Sequence, residues 1–400
     1  MELSSKSVAV VGSGPAALMA ADVISAAGAI VSVFEKRKST GRKLLIAGSS
    51  GLNITNSLPL SEFIRHYSGS AEMWERVLHA FTPQDWIRFI ESLGMKTFEG
   101  TSGRYFIEDM KASKFLLAWN QRLAQRKVQF QFDHECVGFE KNQDGLRLSF
   151  SNNQTGEFDA VCFGLGGGSW EPTETPLRWP SIFKRHRIGF EDFTPSNVGY
   201  QITWPEAFLK EAEGKPLKNV VLSSSRGSRK GDAMITKYGM EGTPVYFVGQ
   251  RGKVTIDLKP DLSVVQIMEK LRGVKENLSP IRRVKKQLNL CPASFALLFH
   301  CTPAEILAPA NLGRLAEHIK ALPLLLGEPQ PLTESISSAG GLRLDEIDEN
   351  FMLKNFPGVF VAGEMLDWDV PTGGFLIQGC VSQGYSAGQG ILRYLRNSLV

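Results

Sequence analysis

Residues 7–17 read SVAVVGSGPAA. A β-branched apolar run stops at two glycines spaced by one residue, and small residues follow. Ser7–Val11 is therefore read as a buried strand, and LMAADVISAAG (18–28) as a helix closed by Gly28. IVSVFEK (30–36) reads as a second strand. Strand, glycine turn, helix and strand make one βαβ unit, so the fold class is α/β with a parallel sheet.

The turn has the form GxGxxA: Gly12, Ser13, Gly14, Pro15, Ala16, Ala17. Gly12 permits the tight turn, Gly14 lets backbone approach a pyrophosphate, and Ala17 keeps helix and sheet close. The helix N-terminus adds unpaired N–H donors. Glu35, followed by Lys36, ends the second strand 18 residues beyond Ala17, where a carboxylate accepts from ribose hydroxyls. A tight turn alone is commonplace; flanked by two strands and the acid, it reads as a dinucleotide site.

A second stretch, VFVAGEMLDWDVPTGGFLIQG (359–379), completes the argument. VFVAG reads as a strand ending at Gly363, and Glu364 is placed to hold a ribityl hydroxyl. Thr372, Gly373 and Gly374 open a helix near Phe375, whose N-terminus favours negative charge at a flavin N1/O2 edge. The non-periodic stretch TGRKLLIAGSSGLNITN (40–56) reads as a long functional loop. Loop and returning segment favour FAD over NAD, because an extended isoalloxazine needs protein far from the first turn. Trp368, Asp369 and Asn53 are candidates for substrate contact, a solvated loop or a purely cofactor-positioning role being the alternatives for each.

Between these ends, residues 61–127 have a helical pattern, punctuated at TPQDW and GTSGRYF. VQFQF, ECVGFEK, LRLSF and DAVCFGL, within 128–165, read as a meander. KNVVLSS, PVYFVG and KVTIDL read as strands of an insertion. Helices follow over about 261–321, one capped at Ser279-Pro280 and one by a box at Thr302–Glu305. The expected organisation is residues 1–195 for the first part of the cofactor domain, 196–330 for the inserted region, and 331–400 for the return. GLGGGS (164–169) is not read as a second nucleotide loop, because EPTETP follows it instead of a helix.

The net charge of +4 over 400 residues argues against nucleic-acid binding as the main task. Two basic clusters, Arg226/Arg229/Lys230 and Arg282/Arg283/Lys285/Lys286, keep an RNA-directed reading as a rival. Missing aromatic interleaving favours solvated faces for both. Cys136, Cys162, Cys291, Cys301 and Cys380 are scattered and lack CxxC spacing, which reads as reduced, inert thiols of a cytoplasmic protein. The six histidines lack metal-ligand spacing, so no metal is expected, and no GxSxG or HExxH supports a hydrolase. No apolar run is long enough to span a membrane and no leader is read.

GSGPAA, GRKLLIAG followed by GLNITN, GGGSW, GDAMITKYGMEGTP, SSAGGLRLDE and GVFVAGEMLDWDVPTGGF span nearly the whole chain. In these landmarks the sequence resembles the BaiN/YhiN-like FAD-dependent oxidoreductases, a family that includes an aminoacetone oxidase. It departs from them at Gly51-Leu52, where many members carry Arg-Cys before the asparagine, so no role of that cysteine is carried over. The resemblance implies a Rossmann-like FAD-binding domain with an inserted β-barrel-like unit and a small helical unit. It implies non-covalent FAD, with Lys43 and Leu44 along the pyrophosphate and flavin and Cys136 offering backbone to the adenine. Gly166 and Gly167 would turn past the cofactor, and Glu364, Gly374, Phe375 and Leu376 would line ribityl and flavin.

The expected function is a FAD-dependent oxidoreductase acting on a small molecule, the flavin reduced by a transiently docked NAD(P)H or by the substrate. An amine oxidase using O₂ and a FAD-dependent RNA-modifying protein are the alternatives. No side chain identifies itself as general acid or base, and neither substrate nor oligomeric state can be read.

Overall fold

The structure is a computed structural model that describes residues 3–48, 51–100, 102–142, 145–170, 177–273 and 278–398. The chain packs into two compact units, Met1–Thr194 with Ser337–Val400, and Pro195–Ile336.

The first unit is built on a five-stranded sheet in the order Val359–Val361, Ala160–Phe163, Ser7–Val11, Ile30–Phe34, Gln129–Gln131. All neighbours pair in parallel. Apart from Ser7 and Ser32 the inner strands are apolar because both faces are covered; Val8, Ala9, Val10 and all of Ala160–Phe163 are fully buried. Strand order reverses at Ser7–Val11, whose partners lie on either side. Val11 pairs with both Phe34 and Phe163, and Phe163 with Val361. The carboxyl ends thus align, and the loops after them leave one edge of the sheet, where open α/β sheets bind ligands.

Two helices pack against each other beside this sheet: Pro15–Ala26 and the C-terminal Phe375–Asn397. Their approach depends on Gly384, where a Cβ would lie 2.2 Å from the Ala16 carbonyl oxygen, and on Gly388, whose Cβ would meet Val23. A small sheet of Asn53–Asn56, Arg104–Ile107 and Thr97–Glu99, and helices at 71–80, 83–92 and 112–125, complete this unit's core. Trp74, Trp86 and Trp119 are fully buried there.

The second unit contains a six-stranded sheet in the order Tyr200–Gln201, Gly239–Glu241, Gly227–Ile235, Pro216–Ser224, Gly252–Asp257, Leu322–Leu326. Its pairings are antiparallel. Val254 and Ile256 face the core while Lys253 is exposed, the alternation read in KVTIDL. Helices at 206–212, 243–248, 264–272, 280–287, 292–301 and 312–320 add to its core. The reading of a mixed α/β chain with a Rossmann-like parallel core and an antiparallel, half-barrel-like sheet is met.

Four local readings are corrected. PVYFVG is not a strand but most of the helix Thr243–Val248: Gly242, at φ 118°, breaks the preceding strand and Pro244 sits in the first turn. Residues 40–56 hold a helix, Arg42–Ala47, and the strand Asn53–Asn56, so their described part is not one loop. In the 128–165 region only Cys136–Asn142, Gly145–Phe150 and Thr155–Phe158 form an antiparallel sheet; VQFQF and DAVCFGL supply strands of the parallel sheet. Thr302 ends the helix Pro292–Cys301 instead of opening another. EPTETP lies outside the described residues.

Candidate functional site

The loops at the carboxyl edge bring both ends of the chain together. Gly12 has φ 103°, and a Cβ there would sit 2.3 Å from the Gly164 carbonyl oxygen, so only glycine fits. Gly14 caps the helix Pro15–Ala26 without a side-chain hydrogen bond, and a Cβ there would meet nothing within 4 Å. The first turn carries no acid. Its N–H groups face space that an anion can enter. The close approach expected of Ala17 has its counterpart in Gly164, where a Cβ would lie 2.8 Å from the Ala17 Cβ.

Ser13 is buried, and its hydroxyl donates to the Glu35 carboxylate while accepting from the Gly41 N–H at 3.1 Å. Glu35 also accepts from the Arg37 N–H at 2.9 Å. The carboxylate is thereby held at the end of its strand, while Lys36 is exposed beside it. Cys136 begins its strand, buried, with its thiol pushed up to about 11 by burial. Burial likewise lifts Cys162 to about 12 and raises Cys380, so these thiols stay protonated.

A second cluster forms around Glu364. Its carboxylate is buried and accepts from the Ser338 N–H at 3.0 Å, the Ser338 hydroxyl at 3.3 Å and the Gly167 N–H at 3.3 Å. Lys43 donates to the Gly167 carbonyl at 2.7 Å and lies 3.8 Å from the same carboxylate. At Gly167 a Cβ would collide with Ser338 Oγ at 2.1 Å, whereas Gly166, at φ 73°, has only Lys43 Nζ within 4 Å. Leu44 is buried behind Lys43. Lys43, Gly167, Ser338 and Glu364 come from four separate stretches of sequence. Ser338 escaped the sequence reading, although SSAGGLRLDE marked its neighbourhood.

Gly363 (φ 90°) donates to the Gln383 side-chain oxygen at 2.8 Å. Trp368 is 2% exposed; its indole N–H donates to the Gly363 carbonyl at 2.9 Å, and its ring meets Trp74 edge-to-face at 4.8 Å. The structure therefore gives Trp368 a core position that pins the Gly363 turn, not the open position that substrate contact calls for. The Asp369 backbone N–H donates to the Ser68 hydroxyl at 2.6 Å, and the Asp369 carboxylate accepts from the Val370 N–H. These bonds fix the loop.

Thr372, half-buried, leads into Gly373, whose carbonyl accepts from Asn56 at 3.3 Å. Gly374, at φ 92°, caps the C-terminal helix without a side-chain bond, and a Cβ there would sit 2.4 Å from the Thr55 carbonyl oxygen. Phe375 is buried, Leu376 is half-buried, and the first turn again holds no acid. Tyr67 donates to the Phe375 carbonyl at 2.6 Å, and the His66 ring packs 4.5 Å from the Phe375 ring. Neither His66 nor Tyr67 carried a signal in the sequence. Asn53 presents a buried side-chain oxygen that no group of the protein satisfies.

Two helices of this unit thus begin at a glycine cap with no acid in the first turn. Gly384 touches Ala16. Nine residues separate Gly384 from Phe375, so the second helix end lies roughly 14 Å further along the C-terminal helix.

The family model described as "HI0933-like protein Rossmann domain" matches residues 6–390. The chain belongs to this family. HI0933-like membership meets the expectation of the BaiN/YhiN-type flavoprotein family and of a flavin-dependent oxidoreductase. Over 96% of the chain and 98% of the relative it is 21% identical to the 3-dehydro-bile acid delta(4,6)-reductase of Clostridium scindens. It is also 22% identical to the ribosomal RNA dihydrouridine synthase of Escherichia coli, covering 96% of the chain and 97% of the relative. Among solved structures it resembles the 3-ketosteroid delta1-dehydrogenase of Sterolibacterium denitrificans (TM-score 0.54, 13% identity), covering 97% of this chain and all of that one. The 3-ketosteroid-delta4-(5alpha)-dehydrogenase of Rhodococcus jostii gives a TM-score of 0.51 at 12% identity, covering 97% and 96%. At such identities these two speak to the fold alone. Among the described residues no helix is long and apolar enough to cross a membrane, and no group of three or more His, Cys, Asp or Glu is placed to hold a metal ion.

Proposed function

We propose that the protein binds FAD non-covalently and reduces a carbon–carbon double bond conjugated to a carbonyl, with NAD(P)H docking transiently as electron donor. The observation that carries the cofactor reading is the pair of acid-free, glycine-capped helix starts, the second roughly 14 Å along the C-terminal helix from its contact with the first at Ala16. The open space at Gly14 and the unsatisfied oxygen of Asn53 fit a bound group. For the reaction class the support is chemical: both curated relatives, by their names, saturate a double bond next to a carbonyl.

In this reading the Ala16 and Ala17 N–H groups receive the pyrophosphate, and Glu35, steadied by Ser13, accepts from the adenosine ribose. The Cys136 backbone meets the adenine. Glu364 exchanges part of its contact with Ser338 and Gly167 for a ribityl hydroxyl, and Lys43 balances its charge. Asn53 and the Gly374–Leu376 helix start face the ring system, where the helix end stabilises anionic charge. When bound, the flavin supplies reversible hydride chemistry, accepting from a donor and passing to an acceptor.

Anaerobic stopped-flow tests the reaction. Flavin bleaching by NADH or NADPH, followed by reoxidation with a conjugated enone, supports the reductase. Bleaching by an amine with peroxide release in air replaces it with the oxidase.

A further inference from the structure

We infer, on the FAD reading above, that Arg104 is the cationic side chain of the cofactor site and holds negative charge at the flavin edge beside the C-terminal helix start. In sequence Arg104 is only part of a turn, GTSGRYF (100–106). Folding gives that turn a partner at the other end of the chain.

The backbone before Arg104 sets its position. The Gly103 N–H donates to the Gly100 carbonyl at 3.1 Å and the Gly100 N–H to the Arg104 carbonyl at 2.8 Å, joining Thr97–Glu99 to Arg104–Ile107. Gly103 has φ 72°, and a Cβ there would lie 2.9 Å from Ser57 Oγ. Arg104 is therefore the first residue of its strand, opposite Asn56, while Phe106 stands opposite Asn53. Paired residues of antiparallel strands share a face, as do alternate residues of one strand. Arg104, Phe106, Asn53 and Asn56 thus lie on one side of the small sheet. Thr55 lies on the other, its hydroxyl donating to the Gln378 side-chain oxygen at 2.8 Å.

Two contacts place the Arg104 side against the helix start. Asn56, buried, donates to the Gly373 carbonyl at 3.3 Å, and Arg104 Nε lies 3.9 Å from where a Gly373 Cβ would be. The next residue, Gly374, caps the 23-residue helix Phe375–Asn397, whose first turn holds no acid. A full positive charge and the partial positive end of a helix therefore meet at one turn. Arg104 is half-buried, so its field is less screened than that of a surface arginine. On the same face, two residues along the paired strands or roughly 7 Å away, Asn53 holds its unsatisfied buried oxygen. A guanidinium donor beside an orphaned acceptor fits the pyrimidine edge of a flavin, where carbonyl acceptors flank an N–H donor. Charge near that edge tunes the ring, and a cation favours the reduced form, whose negative charge rests at N1/O2.

The test is titration of the FAD-loaded full chain with sulfite, followed by bleaching of the flavin band. The sulfur lone pair of sulfite forms a bond to flavin N5, and the displaced ring electron pair comes to rest at N1/O2. The dissociation constant therefore reads positive charge at that edge without substrate or turnover. An opposite charge within about 4–6 Å shifts such an equilibrium by roughly 10- to 1000-fold, so Arg104→Gln should weaken sulfite binding by about tenfold or more. Arg104→Lys, which keeps the charge, should retain most of the affinity. FAD titration and thermal unfolding of each apoprotein report separately on the turn and the fold. No adduct in the parent, equal sulfite affinity in Arg104→Gln at full FAD occupancy, or equal losses in the Gln and Lys variants would each overturn the inference while the FAD reading stands. An Arg104→Gln variant that loses FAD affinity alone gives Arg104 a structural role and overturns it too. A parent chain that takes up no FAD overturns the cofactor reading itself, and this inference with it.

Discussion

Gly384→Ala separates two opposed expectations. Judged on helix propensity, alanine inside Phe375–Asn397 should stabilise by about 1 kcal/mol. The packing says otherwise, because the new Cβ would lie 2.2 Å from the Ala16 carbonyl oxygen and 2.9 Å from its carbonyl carbon and Cα. These are backbone atoms at the start of a helix, so no rotamer change relieves them. An ordinary contact needs roughly 3.5 Å between such atoms, so the helices must part by about 1 Å. Overpacking of this kind costs about 1–3 kcal/mol, which offsets or exceeds the propensity gain. In the proposed function the displaced turn offers its N–H groups to the pyrophosphate, so FAD affinity should fall at least tenfold. The assay is titration of apoprotein with FAD by flavin fluorescence, with thermal unfolding of the apoprotein alongside. A variant about 1 kcal/mol more stable than the parent, with unchanged FAD affinity, would refute the packing argument.

Other perturbations probe separate parts of the site. Gly374→Ala places a Cβ 2.4 Å from the Thr55 carbonyl oxygen at φ 92°; at least 1–3 kcal/mol of strain is expected, roughly, with a blue-shifted or lost flavin band. Glu364→Ala strips acceptors from the buried Ser338 and Gly167 N–H groups, so the apoprotein should lose about 2–4 kcal/mol in denaturant titration and bind FAD more weakly. Burial raises the Asp367 carboxyl, with the Glu191 charge adding to it, so the folded state favours the protonated form. That contribution is present below the unfolded pKa and lost as pH rises. Asp367→Asn should therefore raise the melting temperature at pH 7, with the gain shrinking as pH falls through the raised folded pKa and gone once it is below about 3.9. Because burial lifts Cys136 to about 11, its alkylation in native protein at pH 8 should be orders of magnitude slower than in urea, accelerating only towards pH 11. Fast native labelling at that position, read by peptide mass, would contradict the buried placement.

What could be read in advance follows the reach of the interactions. Strand, glycine turn, helix and acid are local in sequence, and SVAVVGSGPAA with Glu35 carried the fold class. The Glu364 turn was legible as a glycine–acid pair after an apolar run. Its partner Ser338 was not, because it arrives from the strand Ser337–Leu342 and nothing local marks it, while Gly167 was implied only by the family resemblance. Gly164 and Gly384 escaped for a related reason: each is required by an approach to Ala17 or Ala16 that exists only after folding. Trp368 looked like a loop residue because its neighbours are acidic, yet its ring finds Trp74 far earlier in the chain. PVYFVG was misread on β-branched and aromatic propensity, which the turn at Gly242 and the proline after it override. Arg229 has no aromatic neighbour in sequence; packing of Thr243–Val248 brings Phe247 beneath it.

The central claim is that one FAD spans the helix ends at Gly14 and Gly374. The most direct measurement is the absorption spectrum of purified protein, followed by denaturation and chromatography of whatever is released. The account predicts bands characteristic of oxidised flavin, release of FAD and not FMN, about one equivalent per chain after reconstitution, and loss of binding in Gly12→Ala. Protein that is colourless and takes up no added FAD, or that retains FMN as well as FAD, would contradict it.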